Sequence, residues 1–320
     1  MTVPSTLGLE RRGFRHEAVF YHGLDDLAGL LVPFLREGIG RGESALVALP
    51  ADRLEVIERA LGADAGAVSF LDMTEVGRNP ARIIGEWRRF TDEHTDAPGV
   101  RGVGEPVWRG RRPEELEECR LHESLLNLAF DDGPGWQLVC PYDADALPAP
   151  VLQQARATHP VVRLDGVPAS VPHGGHLYAR DAFTEPLSPA PSDADEIPFN
   201  APDLSGLRAV VRRVCEQAGL TWARSDDLVL AVHELATNSV EHGGGGGVLR
   251  AWIQPDALVF EVSDLGVIAD PLVGRRPAAN LALGGRGVWL VNQLCDLVQV
   301  RSSEDGTVVR LYTWLTPGRA

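Results

Sequence analysis

Cysteine is scarce in this chain and is never closely paired. Cys119, Cys140, Cys215 and Cys295 stand far apart among 320 residues. No disulfide framework is written into that spacing, and a reducing compartment is expected. Positive charge is also short. Thirty Lys and Arg face 45 Asp and Glu, for a formal net charge of −15. A nucleic-acid partner needs a basic face and is not expected. Proteins or small ligands suit an acidic surface better. Long apolar runs are missing: none is long enough to cross a bilayer, and no basic stretch followed by an apolar one marks a leader. No membrane association is expected, and the expected location is cytoplasmic. The phosphate loop G-x-x-x-x-G-K-[ST] is missing too. After the apolar run Ser44–Leu49 comes Pro50-Ala51-Asp52, so the first half does not hold a nucleotide by that device.

What is present divides into two. A hydrophobic content of 44% over this length allows two sizeable cores. Residues 1–183 alternate strand and helix patterns. Strands are expected at 18–21, 44–49, 68–71, 101–105 and 136–140, with helices at 24–37, 52–61, 80–94, 113–130 and 147–158. Repeated βα units predict a mostly parallel sheet with helices on both faces. Ligands of such sheets lie at the carboxyl ends of the strands. The residues there are Asp52, Asp72, Glu105 with Trp108, and Tyr142-Asp143. Cys119 and His122 are half of a metal motif, but no second pair accompanies them and both fall inside a helix pattern, so ordinary helix residues are expected. His173 and His176 read as part of a glycine loop.

Residues 184–198 are rich in proline, serine and acid, without periodicity, and read as a semi-extended linker. A second domain, 199–320, follows. It starts with a helix at 203–218. The stretch 225–247, SDDLVLAVHELATNSVEHGGGGG, then combines capping residues, an apolar helical pattern and a run of glycines. Glu234 and Asn238 are four apart, and Glu241 and His242 come a turn later, so all four fall on or near one face. Two hairpins are expected, around 254–257 and 304–306, and a glycine-led helix at 284–295. This predicts an antiparallel sheet with helices on one face.

The ordered set Glu234-x-x-x-Asn238, Asp264-x-Gly266, Gly284-Gly285-Arg286-Gly287 and Gly306-Thr307 resembles the ATP-binding domain of the Bergerat (GHKL) superfamily. Within it, GGRGVWLVNQLCD followed by VQVRSSEDGTVVRL looks most like the anti-sigma-factor serine kinases, over about residues 199–316. The resemblance implies a Bergerat-type α/β sandwich that binds ATP and Mg2+. Asn238 would give an amide oxygen to the metal, and Glu234 would act as catalytic general base. Asp264 would accept a hydrogen bond from the adenine amine, with Gly266 letting the backbone approach the base. Gly285, Arg286 and Gly287 would hold phosphate oxygens at a helix start. Thr307 would add a hydroxyl, and His242 is a further candidate contact. The superfamily often has D-x-G-x-G. Here Ile268 takes the last glycine's place, so the main ATP contacts are expected to remain while the lid differs.

The first part, through HEAVFY, FLREGIGRGESALVAL, RGVGEPVW and CPYDADALPAPVLQQARATHP, resembles the DcmR-type sensory (MEDS) domain, over about residues 13–165. That implies a RecA/KaiC-like fold without its phosphate loop, and a small ligand not specified by the sequence. Together the resemblances imply a transcription-regulating switch. Its partners would be a sigma factor, a STAS-type anti-anti-sigma protein, or both; homodimers are common among such proteins. Two rivals stand beside it. A sensor histidine kinase would need a helical hairpin with a phospho-acceptor histidine ahead of the ATP domain. A non-catalytic sensor would use the ATP fold only for docking.

Overall fold

Alternating apolar strands and amphipathic helices build the first half. A computed structural model describes residues 13–131, 135–164, 167–170, 175–276 and 286–315. Its first half runs β1 (Arg15–Tyr21), α1 (Gly23–Gly40), β2 (Ser44–Leu49), α2 (Ala51–Leu61), β3 (Val68–Asp72), α3 (Met73–Val76), α4 (Ile83–Glu93), β4 (Val100–Gly104), α5 (Pro113–Ala129), β5 (Gln137–Asp143), α6 (Ala149–Thr158), β6 (Val161–Leu164), β7 (Val167–Ser170) and α7 (Gly175–Thr184). Among the described residues the strand order is β3-β2-β4-β5-β1-β6-β7. All neighbours are parallel except β6 and β7.

The period-two pattern of β2 shows why helices cover both faces. Val47 and Leu49 face a core shared with Leu31 and Leu35 of α1 and Ile57 of α2. Leu46 and Ala48 face the opposite core, with Trp87 of α4 and Leu125 of α5. A Cβ on Gly102 or Gly104 would come within 3.0 or 2.8 Å of the Trp87 ring, so β4 needs glycine where that ring packs against it.

Some elements go beyond the sequence expectation. β6 and β7 are four-residue strands at the sheet edge, too short for a periodic signal. α7 begins within the four residues read as a glycine loop and runs on beyond them: Ala179, Ala182 and Phe183 are buried, and the helix packs on α5. His176 lies within α7, and His173 lies outside the described residues.

The second half runs β8 (Asp195–Asn200), α8 (Leu204–Gln217), α9 (Trp222–His242), β9 (Gly246–Gln254), β10 (Ala257–Asp264), α10 (Arg286–Leu294), β11 (Leu297–Ser303) and β12 (Gly306–Trp314). The sheet order is β11-β12-β10-β9-β8, antiparallel throughout. β8 begins inside the stretch read as a linker. α9 begins at Trp222, with the Thr221 hydroxyl accepting from the Arg224 amide at 3.4 Å. Ser225 lies a turn inside the helix and is buried, so it is not the cap. One sheet face carries α8, α9 and α10 over Leu249, Leu258, Phe260, Val262 and Leu311. The molecule is therefore a parallel α/β domain followed by an α/β sandwich.

The other face of this sheet is covered as well, which the sequence did not predict. Residues 185–194 form neither helix nor strand. They lie across the sheet, where Arg310 donates to the Ser188 carbonyl at 2.7 Å and Ala190 and Ala194 pack on Trp252 and Tyr312. α5 lies there too. Gln299 donates to Glu117 at 3.3 Å, and Arg112 pairs with Asp256 at 2.8 Å. α5 thus serves both halves, which is why Glu115, Glu118, Leu121, Glu123 and Leu125 are all buried.

Candidate functional site

Glu234 and Asn238 are half-buried on successive turns of α9. The start of α10 faces them. A Cβ built on Gly287 would lie 3.1 Å from Glu234 Oε2 and 3.2 Å from Asn238 Nδ2. Glycine at this helix start therefore lets the α10 backbone come close to a carboxylate and an amide.

Asp264 ends β10, and α9 fixes its orientation. The Ser239 hydroxyl donates to Oδ2 at 2.6 Å, and the Gly266 amide donates to Oδ1 at 2.8 Å. Each oxygen keeps a lone pair for a further donor. Thr307 stands opposite Asp264 in the β10–β12 register. Its hydroxyl donates to the Gly266 carbonyl at 2.7 Å and bonds Ser302 at 2.8 Å. A Cβ on Gly306 would sit 2.2 Å from the Asp264 carbonyl oxygen, and φ there is +126°, so only glycine fits that turn. Ile268 donates its amide to Ser302 at 2.8 Å.

Glu234, Asn238 and Gly287 thus come together, and Asp264, Gly266 and Thr307 form a second group beside Ser239. His242 is exposed at the end of α9, 3.9 Å from Glu241. Arg286 is exposed as well. Gly285 lies outside the described residues.

The segment after β10 is tied to the first half of the chain. Arg275 pairs with Glu118 of α5 at 3.0 Å, and Arg301 of β11 takes the other oxygen of the same carboxylate at 2.6 Å. Glu118 is 0% exposed. Burial pulls the Arg275 pKa down, against the attraction of Glu118. Asn292 of α10 donates to the Gly274 carbonyl at 3.0 Å and accepts from Asn79 at 3.0 Å. Arg82 donates to the carbonyls of Asn292, Gln293 and Cys295, covering the end of α10. Sequence reasoning missed Ser239 and this whole set of ties. Ser239 follows directly on Asn238, but its partner lies 25 residues on; the ties to the first half span 157 residues or more.

The strand ends of the first domain converge differently. Arg53 lies 3.1 Å from Glu105 and 3.6 Å from Asp143. The Tyr21 hydroxyl donates to Glu105 at 3.0 Å. Burial pushes the Glu105 carboxyl up to about 8, against the pull of Arg53 and the Tyr21 hydrogen bond. Asp72 caps α3 through the Thr74 amide at 2.8 Å, and Trp108 stacks under Arg111 at 3.7 Å. Those two positions have structural work.

Two family models match the chain. The model of the methanogen/methylotroph DcmR sensory (MEDS) domain matches residues 15–160. The histidine kinase-like ATPase domain matches residues 197–313. The serine-protein kinase RsbW of Halalkalibacterium halodurans is 30% identical over 129 residues, 37% of this chain and 78% of that protein. The chain belongs to the RsbW family. RsbW of Bacillus cereus strain AH187 is 27% identical over 36% of this chain and 79% of its own length. A solved structure of the RsbU and RsbW domains of Rv1364c from Mycobacterium tuberculosis aligns at TM-score 0.30 and 21% identity. It covers 41% of this chain and 35% of that one, too loose a superposition to carry an argument. The RsbW family supplies a kinase-like ATPase domain, and the MEDS domain precedes it. Among the described residues, no helix is long and apolar enough to cross a membrane.

Proposed function

We propose that the RsbW-type domain binds ATP with Mg2+ and transfers phosphate to a serine of a STAS-type anti-anti-sigma partner, alternating with capture of a sigma factor. The observation that carries the reading is the convergence of Glu234 and Asn238 on Gly287 at the start of α10, with Ser239, the next residue on α9, orienting the carboxylate of Asp264. The donor set fits the groups it would hold. Asn238 offers a neutral amide oxygen suited to Mg2+. The start of α10 offers helix N-terminal amides suited to phosphate. Asp264 keeps acceptor capacity for an adenine amine.

When bound, ATP supplies the phosphoryl group and Mg2+ offsets its charge. Glu234 takes the proton from the attacking serine hydroxyl. Asn238 and the α10 start fix the phosphate end, and Asp264 with Gly266 and Thr307 fixes the base. Ser239 keeps Asp264 in register with Asn238, its neighbour on α9. Incubation with labelled ATP and a STAS-type substrate tests the chemistry: wild type should phosphorylate serine, and Glu234→Gln should be far slower. Equal rates would remove Glu234 as base. ATP binding without any transfer would leave a docking protein.

The MEDS domain regulates this site through α5. Glu118 holds Arg275 and Arg301 in one buried cluster, so a shift of α5 moves the segment between β10 and α10. A ligand does this only by binding two positions of α5 with different affinity.

A further inference from the structure

Four side chains from four separate places converge inside the MEDS domain. They are His16 on β1, Glu123 on α5, Cys140 on β5 and His159 just after α6. All four are buried, none more than 2% exposed. His16 Nε2 lies 3.0 Å from Glu123 Oε2, and His159 Nε2 lies 3.3 Å from the same oxygen. Cys140 Sγ lies 3.3 Å from His16 Nε2. The four atoms are all within 4.8 Å of one another. Ligand atoms about 2.0–2.3 Å from a tetrahedral ion stand roughly 3.3–3.8 Å apart, so the cage is close to that size.

The hydrogen bonds around the cage settle which atoms face inward. His159 Nδ1 lies 2.7 Å from the Ala155 carbonyl, so it carries a hydrogen. Asn127 donates through Nδ2 to the Thr158 carbonyl at 2.8 Å, which fixes its amide and turns Oδ1 toward His16 Nδ1 at 3.1 Å. That nitrogen also carries a hydrogen. With Nδ1 turned outward to these acceptors, each ring points Nε2 into the cage. Tyr142 donates to Glu123 Oε1 at 3.1 Å, while Glu123 Oε2 and His159 Nε2 have no hydrogen-bond partner. Two imidazole nitrogens and a carboxylate oxygen facing one another in a buried interior need a proton or a metal cation among them. Rings held at Nδ1 by a carbonyl or an amide, and a carboxylate held by a hydroxyl, are the outer partners that metal ligands use.

We propose that this cage binds one divalent transition-metal ion of the zinc class through His16 Nε2, His159 Nε2, Glu123 Oε2 and Cys140 Sγ. Imidazole and thiolate select such ions over Mg2+ or Ca2+. On binding, the Cys140 thiol releases its proton to solvent and its sulfur bonds the metal. One thiolate and one carboxylate balance the two positive charges, so the buried site is neutral. Four protein ligands close the coordination, which suits a structural or sensing ion rather than a catalytic one. Glu123 and Glu118 lie five residues apart on α5, so the ion would brace the helix that meets Arg275. The metal site itself does not rest on the ATP reading.

The test uses the full chain. Protein stripped of metal and titrated with zinc should take up one equivalent. Cobalt should give tetrahedral d–d bands with a thiolate-to-cobalt charge-transfer band. X-ray absorption of the zinc form should find one sulfur and three nitrogen or oxygen ligands, with no substitution needed. Cys140→Ser should lose the charge-transfer band, while Cys119→Ser, buried elsewhere on α5, should keep it. His159→Gln should weaken zinc binding about 10- to 100-fold or more. A folded wild type that takes up no stoichiometric metal, a sulfur-free coordination shell, or a charge-transfer band retained in Cys140→Ser would overturn the proposal. The cluster would then be an imidazolium–carboxylate pair.

Discussion

Glu118 and Arg275 meet at 3.0 Å across the two halves of the chain, with Arg301 on the second carboxylate oxygen. Losing one partner of such a buried ion group leaves uncompensated charge, at a cost of about 3–5 kcal/mol. Glu118→Gln leaves two buried guanidiniums without their anion and should destabilise the protein by that order in urea unfolding. Arg275→Met leaves the Glu118–Arg301 pair intact and should cost much less. It should instead change ATP affinity, by freeing the segment ahead of α10. If both variants lose equal stability and neither alters ATP binding, α5 is a scaffold and not a link.

Gly287→Ala is the most local test of the space between α9 and α10. Its methyl would stand 3.1 Å from Glu234 and 3.2 Å from Asn238, so both side chains must give by tenths of an ångström. The fold should survive while ATP affinity falls. Gly306→Ala should behave differently: at φ +126° and 2.2 Å from a backbone oxygen, strain costs roughly 1–3 kcal/mol or more. Thermal unfolding and ATP titration of the two variants separate the cases.

Much of this site was legible because its residues lie in short motifs. Glu234 and Asn238 share one helical repeat, and Asp264 and Gly266 share one turn. Gly287 was readable as a helix start, although nothing in the sequence said that it faces Glu234. The contacts across the halves were not legible. Nothing in the helix pattern at 113–130 marks Glu118, because burial on both sides depends on two sheets meeting. The His16, Glu123, Cys140 and His159 cluster left no local spacing to find. Cys119-x-x-His122 did have motif spacing. There Cys119 donates to the Pro106 carbonyl at 3.2 Å, and burial pulls His122 down to about 3; among the described residues neither joins a metal-type cluster.

Ser239 should matter more than its lack of any chemical role suggests. Its hydroxyl orients Asp264, and a hydrogen bond to a charged group contributes about 1.5–3 kcal/mol. Ser239→Ala should lower stability by up to that amount. It should also weaken ATP binding by about tenfold, or about 1.4 kcal/mol. Unchanged ATP affinity at reduced stability would mean that Asp264 holds its place without help.

The MEDS domain should carry a pH dependence at Glu105. Its folded carboxyl is raised from the ordinary 4.5 to about 8, so the folded chain keeps a proton that the unfolded chain has lost. The stability from this group is full below pH 4.5 and is lost as pH rises toward 8. Wild type should therefore lose stability relative to Glu105→Gln as pH climbs through that window, followed by urea unfolding. A constant difference would mean that Arg53 keeps Glu105 ionised throughout.

The most direct test of the account is calorimetric titration of the full chain with ATP, with and without Mg2+, for wild type, Asn238→Ala and Asp264→Asn. The account predicts Mg2+-dependent binding in wild type, loss of the Mg2+ dependence in Asn238→Ala, and weak binding under all conditions in Asp264→Asn. A folded wild type that binds no ATP, or binding indifferent to both substitutions, would contradict it.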